Sequence, residues 1–298
     1  MQDKSHKKVI VIAGPTASGK TALSVQLAKK FNTSVISCDS RQCYKEMSIG
    51  TAAPTKEEQQ GIPHYFIHSH SIHQPVSAGT YKELAMGWLE KIFQSNDLAI
   101  ITGGTGLYLQ TLTKGIHDLP EVSAETRAFI KNEYSTGGLE ALQQYILAAD
   151  PEYFSTSDTQ NPARLMRAAE IIKQTGRPYS SFLQEAKNHF FPYQLEEFVL
   201  DIDRSLLYEK INLRVEKMMK EGLLEEVKAL LPYRQLSTLH TVGYSELFDF
   251  LDGKYSLDEA IDKVKQHSRN YAKRQLTWFR NKGEFHFASP AQIMSHFS

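Results

Sequence analysis

The sequence predicts an α/β fold, a P-loop-type parallel sheet flanked by helices and carrying a helical insertion domain. Three observations predict it. Short apolar runs rich in β-branched residues alternate with stretches of helical period in the N-terminal region. A glycine-rich segment joins the first such run to the first helix. From Pro120 to Pro192 no strand-like run occurs, and strand-like sequence returns only afterwards.

Lys8 to Ala13 (KVIVIA) has the continuous apolar character of a buried parallel strand. Thr21 to Phe31 then sets Leu23, Leu27 and Phe31 on one helical face. Ser34 to Cys38 (SVISC) and Leu98 to Thr102 (LAIIT) read as the second and third strands. After about residue 117 helical periodicity dominates, punctuated by Pro151, Pro162, Pro178 and Pro192. Between Asn132 and Ala163 there are five acidic residues and no Lys or Arg. The expected organisation is therefore a core of residues 1–117 and 196–298, with residues 118–195 inserted. Phe198 to Ile202 (FVLDI) reads as a strand rejoining the sheet. Arg204 to Glu221, with Leu207, Ile211, Val215 and Met218 in period, reads as a long helix. Ser256 and Glu259 form a capping-box signature opening a helix that runs to about Arg280. The period of Ile261, Val264, Ser268, Tyr271, Gln275 and Trp278 predicts its buried seam. No internal repeat or low-complexity segment is visible.

Composition narrows the function classes. The 298 residues are 41% hydrophobic and 23% charged, and Lys+Arg equals Asp+Glu at 34 each. Any nucleic-acid contact must come from local patches rather than bulk charge. Two cysteines, Cys38 and Cys43, are too few for a disulfide framework or a four-ligand zinc site, so free thiols are expected. The longest uncharged apolar-leaning run, Leu98 to Thr113, holds three glycines and four threonines and is short for a membrane span. The basic start (Lys4, Lys7, Lys8) leads into an apolar stretch that ends at Gly14 and runs on to Lys20, unlike a secretory signal. A cytoplasmic protein is expected.

The glycine-rich segment is Gly14-Pro15-Thr16-Ala17-Ser18-Gly19-Lys20-Thr21, a P-loop in its required place between strand and helix. Its backbone N–H groups can point at phosphate oxygens, Lys20 adds a point charge, and the helix N-terminus adds its dipole. The Thr21 hydroxyl can reach Mg²⁺. A P-loop indicates phosphates without fixing the reaction. The usual Walker-B aspartate is absent, because LAIIT runs into Gly103-Gly104-Thr105-Gly106. The acid stands instead after the second strand, in Asp39-Ser40-Arg41-Gln42. Ligands of open α/β sheets bind beyond the carboxyl ends of the strands, which places Asp39 and Thr105 toward whatever the loop holds. A plain helix-cap role for Asp39 is the competing explanation.

Lys263 to Lys282 holds seven Lys or Arg and no acid, with Tyr271, Trp278 and Phe279 interleaved. Such a stripe suits a phosphodiester backbone. A solvated helix face with its aromatics in the core would read the same way. Arg269 and Lys273 stand four apart and share a face.

Taken together these residues resemble the tRNA dimethylallyltransferase (tRNA isopentenyltransferase) family. The matching stretches are GPTASGKT at 14–21, DSRQCY at 39–44, IGTAAP at 49–54, GGTGLY at 103–108, RLMRAAE at 164–170 and TGRP at 175–178. INLRVEKMMKEGLLEEV at 211–227, VGY at 242–244 and RNYAKRQLTWFR at 269–280 follow in the same order. The resemblance implies transfer of a dimethylallyl group from dimethylallyl diphosphate to the N6 amine of adenosine 37 of tRNA, with the P-loop holding the donor's diphosphate. It implies Asp39 as the base toward the amine, with Thr105 orienting it. Lys20, Mg²⁺ held through Thr21, and Arg214 would stabilise the departing diphosphate. Contacts to tRNA are implied for Asp39, Ser40, Arg41, Gln42, Thr105, Arg127, Gln160 to Arg164, and His240 to Ser245 with Gly243 and Tyr244. Arg269, Lys273 and Arg274 of the basic stripe join them. Base extrusion from the anticodon loop is expected, as is a monomer with no membrane association.

Three positions depart from the family pattern. Ser245 stands where Lys or Arg is frequent after VGY. QNPA precedes Arg164 where Asn-Asp-Pro-Gln is common. Eighteen residues follow Arg280, without room for the zinc finger of eukaryotic members, which fits a bacterial-type enzyme. Two other readings of the residues compete: a P-loop kinase of a small molecule or nucleoside, with Asp39 as base toward a hydroxyl, and a non-enzymatic RNA-binding module.

Overall fold

The computed structural model describes residues 6–115, 119–184, 190–282 and 284–298. Lys4 of the basic N-terminus and the expected boundary at 117 lie outside the described residues. The chain divides into two compact units, residues 1–113 with 191–298 and residues 114–190.

The first unit is built on six parallel strands: β1 (Lys8–Ala13), β2 (Val35–Cys38), β3 (His64–Tyr65), β4 (Leu98–Gly103), β5 (Gln194–Leu200) and β6 (His286–Ala288). Their order across the sheet is β3-β2-β4-β1-β5-β6. The alternation of strand side chains divides the core into two. Val9, Val11, Ala13, Ile36, Ala99 and Ile101 fall in one apolar cluster; Ile10, Ile12, Val35, Ile100, Phe198 and Leu200 fall in the other. Both faces are covered, which is why KVIVIA is apolar without alternation. Helix α1 (Lys20–Lys30) contributes Leu23, Leu27 and Ala28 to the second cluster. The helix α2 (Lys56–Gln59) opens on a Thr55–Glu58 capping box. Helix α3 (Ala78–Ile92) buries Tyr81, Ala85, Leu89 and Ile92 in the first cluster, and α4 (Gly106–Lys114) adds Tyr108, Leu109 and Leu112.

In the second unit, α5 (Ala124–Ala149) is interrupted at Gly138, whose φ of +66° breaks the helix. Helices α6 (Pro151–Thr156), α7 (Pro162–Thr175) and α8 (Tyr179–Gln184) follow. Ile130, Leu142, Ile146, Tyr153, Leu165, Ala168, Ala169 and Ile172 form its core. The buried Asp150 is fully employed: it accepts from Tyr153 N and Ser180 Oγ through Oδ1 and from Ser180 N through Oδ2. No strand occurs among its described residues.

Back in the first unit come α9 (Arg204–Lys220), α10 (Leu223–Leu230), α11 (Ser245–Leu251), α12 (Leu257–Lys282) and α13 (Pro290–His296). The predicted capping box of α12 is present, Ser256 N donating to Glu259 Oε2 and Glu259 N to Ser256 Oγ. Among the described residues no helix is long and apolar enough to cross a membrane.

Several sequence expectations are corrected. The returning strand is not 198–202: it starts at Gln194, in register with Lys8, and ends at Leu200. Asp203 turns the chain there by accepting from Ser205 N and Leu206 N as the cap of α9. The short strands β3 and β6 carry too few residues to give a period. The seam of α12 is also displaced. Ala260, Val264, Ala272, Gln275 and Phe279 are buried, whereas Ile261, Ser268, Tyr271 and Trp278 are half-buried, because the helix packs against both α9 and α11.

Register fixes the functional edge. Ala13 and Cys38 both pair with Gly103, so β1, β2 and β4 end together and release their following loops on one side. A Cβ on Gly103 would stand 2.1 Å from the Cys38 carbonyl oxygen, which explains glycine there.

Candidate active site

The loop after β1 takes its shape from three positive φ angles, Gly14 at 148°, Ala17 at 64° and Gly19 at 93°. Gly19 is the N-cap of α1 and supplies no side-chain cap, so the helix N-terminus faces the loop unblocked. Ala17, in its left-handed conformation, is buried in one apolar cluster with Leu207 and Ile211 of α9 and Ala272 of α12. Lys20 Nζ donates to the Pro15 carbonyl at 2.6 Å, curling the side chain back over its own loop. Thr16 is held twice: its N–H donates to Gln275 Oε1 at 2.9 Å, and its Oγ1 accepts from Arg214 Nη1 at 3.2 Å.

The electrostatics link three segments. Burial and, after it, the Arg214 guanidinium lower Lys20 to about 7, with Asp39 opposing both. Burial likewise lowers Arg214, against the pull of Glu58 and Asp39. Lys20, Arg214 and Asp39 thus act on one another although they come from α1, α9 and the loop after β2. Two confined cations beside a glycine-rich loop are what a diphosphate requires.

Facing them is a corner made by two loops. Asp39 Oδ1 accepts from Arg41 N at 2.9 Å and Gln42 N at 3.3 Å; no helix follows, so in place of the helix cap weighed from sequence the side chain closes a turn, which occupies one carboxylate oxygen. Among the described residues Asp39 Oδ2 carries no hydrogen bond. Thr105 N donates to the Cys38 carbonyl at 3.1 Å. Thr105 Oγ1 accepts from Ser40 N at 3.0 Å and donates to Ser40 Oγ at 3.4 Å. Gln42 Nε2 donates to the carbonyls of Thr51 and Ala52, and Arg41 Nη1 to that of Thr238. Tyr271 of α12 stands in the field of Asp39, Arg41 and Arg274, and burial pushes its hydroxyl well above the usual tyrosine range.

Behind this corner is a residue that motif reading left without a role. Glu226 of α10 accepts from the N–H groups of Ser48, Ile49 and Gly50 and from the Tyr244 hydroxyl at 2.6 Å. It fixes the loop whose next two carbonyls orient Gln42. The signal was the quoted stretch ending in GLLEEV, but nothing in its spacing says which acid turns inward. Tyr244, in the stretch for which tRNA contact is implied, has its ring fully buried, and a Cβ on Gly50 would stand 2.5 Å from it. Gly243, at φ 95°, donates its N–H to the buried Glu246. Cys38 and Cys43 are both buried, and burial raises each thiol to about 12, which leaves them as packing groups.

On α12, Lys273 and Arg274 are exposed, and Arg274 lies over the Tyr271 ring. Arg269 is half-buried and donates to Asn212 Oδ1 at 2.7 Å. Arg127, Gln160 and Arg164 are exposed on the second unit. Among the described residues no group of three or more His, Cys, Asp or Glu could hold a metal ion. The donor set at the loop, the Thr21 hydroxyl beside Lys20, fits a Mg²⁺ ion that arrives on a diphosphate and keeps its waters, rather than one caged by protein.

A family model described as IPP transferase matches residues 42–282. The chain is 44% identical over 286 residues to tRNA dimethylallyltransferase 1 of Bacteroides fragilis, covering 96% of this chain and 95% of that protein. It is 44% identical over 288 residues to tRNA dimethylallyltransferase of Cytophaga hutchinsonii, covering 97% and 94%. Among solved structures, the tRNA isopentenylpyrophosphate transferase of Bacillus halodurans is similar, with a TM-score of 0.71, 36% identity, and 97% and 94% of the two chains covered. A eukaryotic dimethylallyltransferase solved acting on tRNA has a TM-score of 0.78 at 27% identity, covering 97% of this chain and 75% of that one. With most of its length inside the matched family and its relatives aligned almost end to end, the chain belongs to the IPP transferase family.

Proposed function

We propose that this protein transfers the dimethylallyl group of dimethylallyl diphosphate to the N6 amine of adenosine 37 in tRNA, releasing diphosphate. One observation carries the reading: a phosphate cradle with two half-buried cations, Lys20 donating to the Pro15 carbonyl and Arg214 to Thr16 Oγ1, shares a sheet edge with a carboxylate, Asp39, on the loop after β2. The acid does not occupy the Walker-B position, so it is free for chemistry on an acceptor.

The exocyclic amine of adenine is a weak nucleophile, because its lone pair is delocalised into the ring. As its nitrogen bonds to C1 of the donor, the C1–O bond to diphosphate breaks. The amine proton passes to Asp39 through Oδ2, while Oδ1 keeps the 40–42 turn in place. The loop N–H groups from Gly14 to Thr21, with Lys20 and Arg214, take up the negative charge developing on the leaving group. Mg²⁺, held on the protein side by Thr21, supplies further neutralisation of the diphosphate when bound. Thr105 holds Ser40 and so keeps Asp39 in register with the donor. Gln42 presents an amide to the base edge, and the adenine reaches this corner by extrusion from the anticodon loop. Lys273, Arg274 and Arg269 of α12 and Arg127, Gln160 and Arg164 of the second unit contact the stem-loop. Acting on tRNA, the protein works in the cytoplasm, as a monomer.

Incubating purified protein with tRNA, dimethylallyl diphosphate and Mg²⁺, then digesting the tRNA and analysing its nucleosides, tests the reading. It predicts N6-dimethylallyladenosine at position 37. Unmodified tRNA, with phosphoryl transfer from ATP to a hydroxyl acceptor instead, would replace it with the kinase reading.

A further inference from the structure

Gln275 lies in the middle of the basic helix α12 yet is 6% exposed, and both ends of its amide are used. Its Oε1 accepts from Thr16 N in the phosphate loop at 2.9 Å. Its Nε2 donates to the Gly104 carbonyl, in the loop carrying Thr105, at 3.0 Å. One side chain therefore joins the loop after β1 to the loop after β4. The neighbouring glycine is shaped to it: a Cβ on Gly104 would stand 2.1 Å from Gln275 Nε2 and 3.1 Å from the Gly14 carbonyl. The same face of α12 continues the contact on both sides. Ala272, one turn earlier, packs with Ala17 of the phosphate loop. Trp278, one turn later, leaves room only for a glycine at 106, where a Cβ would stand 2.3 Å from its ring.

From this geometry we infer that Gln275 is a positioning residue, an amide bridge that sets the distance between the donor's phosphate cradle and the Thr105–Ser40–Asp39 corner. The amide satisfies one backbone donor, Thr16 N, and one backbone acceptor, the Gly104 carbonyl, on two loops that run close together. Only Gln has the length and the paired donor and acceptor to serve both. Displacing two reacting groups by about 1 Å can cost on the order of 10²-fold in rate, so such a bridge matters without touching substrate. The bridge rests on the geometry alone; its effect on rate rests on the proposed prenyl transfer.

The test uses Gln275→Met, which keeps volume and removes both hydrogen bonds, and Gly104→Ala, which pushes on the amide from the other loop. Hydrogen–deuterium exchange of the free proteins is read in peptides spanning 14–19 and 103–106. Faster uptake in both segments in Gln275→Met, with unchanged uptake elsewhere, supports the bridge; unchanged uptake in both overturns it, whatever the reaction. Turnover then reads the consequence. The bridge predicts kcat lower by about 30-fold in each single variant and by no more in the double, with tRNA affinity within about threefold of the parent. Independent effects that multiply in the double variant, or a parent-like kcat in Gln275→Met, would overturn the positioning role. A parent enzyme that transfers no prenyl group would instead remove the proposed function and leave the exchange result standing.

Discussion

The phosphate cradle and the acceptor corner share a sheet edge but are made in opposite ways. The cradle is one segment, Gly14 to Thr21, and its shape comes from its own backbone: three positive φ angles and the open N-terminus of α1. The acceptor corner is assembled from segments distant in sequence. Asp39 belongs to one loop, Thr105 to another, Gln42 is oriented by carbonyls at 51 and 52, and those are fixed by Glu226. The cradle's backbone shape is local and, among the described residues, is braced from outside by side-chain hydrogen bonds at Thr16 alone, from Gln275 and Arg214. A device held by distant hydrogen bonds can be broken from many places. The two should therefore part company under mutation, the cradle through donor binding and the corner through the rate of transfer.

The largest separation is expected at Asp39. Asp39→Asn keeps the Oδ1 bonds to Arg41 N and Gln42 N and removes the proton acceptor, and should lower kcat by about 10²–10⁴-fold. Steady-state kinetics with saturating tRNA and donor, together with a binding measurement for donor, checks this: the donor Kd should stay within about threefold. Lys20→Met should do the reverse, lowering kcat/KM for the donor by about 10²-fold and weakening inorganic pyrophosphate binding. This variant also carries a pH signature. Desolvation lowers Lys20 to about 7 in the free protein, and an anion bound beside it raises that value. The advantage of the parent over Lys20→Met in pyrophosphate affinity, measured without divalent cation, should be full below pH 7 and decline as pH rises above it. An advantage that grows with pH would contradict the cradle assignment.

Thr105→Val should cost about tenfold in kcat, because Ser40 N loses its acceptor and the corner loosens, with the donor KM little changed. The smallest effect belongs to neither region. Replacing Lys273 and Arg274 by Gln should leave kcat at saturating tRNA unchanged and reduce the salt slope of tRNA binding by about 2, readable by titration at several salt concentrations. An unchanged slope would place the RNA elsewhere.

The same contrast decides what the sequence made legible. The backbone of the cradle was readable because the residues that set its turns are contiguous, and β1, β2 and β4 because buried parallel strands are unbroken apolar runs. Asp39 and Thr105 could be placed at the right edge from strand order and the missing Walker-B acid. Their connection through Ser40 could not, since that bond joins residues with no fixed sequence offset. Gln275 was counted in an apolar seam, and only the fold shows that its amide is employed at both ends. Glu226 was one of two adjacent acids on α10. Tyr244 illustrates the converse: the side chain of a residue within a recognisable motif is buried and braces a loop through Glu226, which the motif did not show. The strand at Gln194–Leu200 was set too far along because Asp201 and Ile202 read as a continuation of FVL, when the strand ends at Leu200 and the chain turns into the helix capped by Asp203.

The most direct measurement is the position of the donor itself. A crystal of the protein soaked with dimethylallyl diphosphate and Mg²⁺ should show the diphosphate oxygens within hydrogen-bond distance of the N–H groups of Gly14 to Thr21, with Lys20 and Arg214 against them and C1 turned toward Asp39. A head group bound away from Gly19, with a nucleoside triphosphate filling the loop and passing its phosphoryl group to an acceptor, would contradict the account.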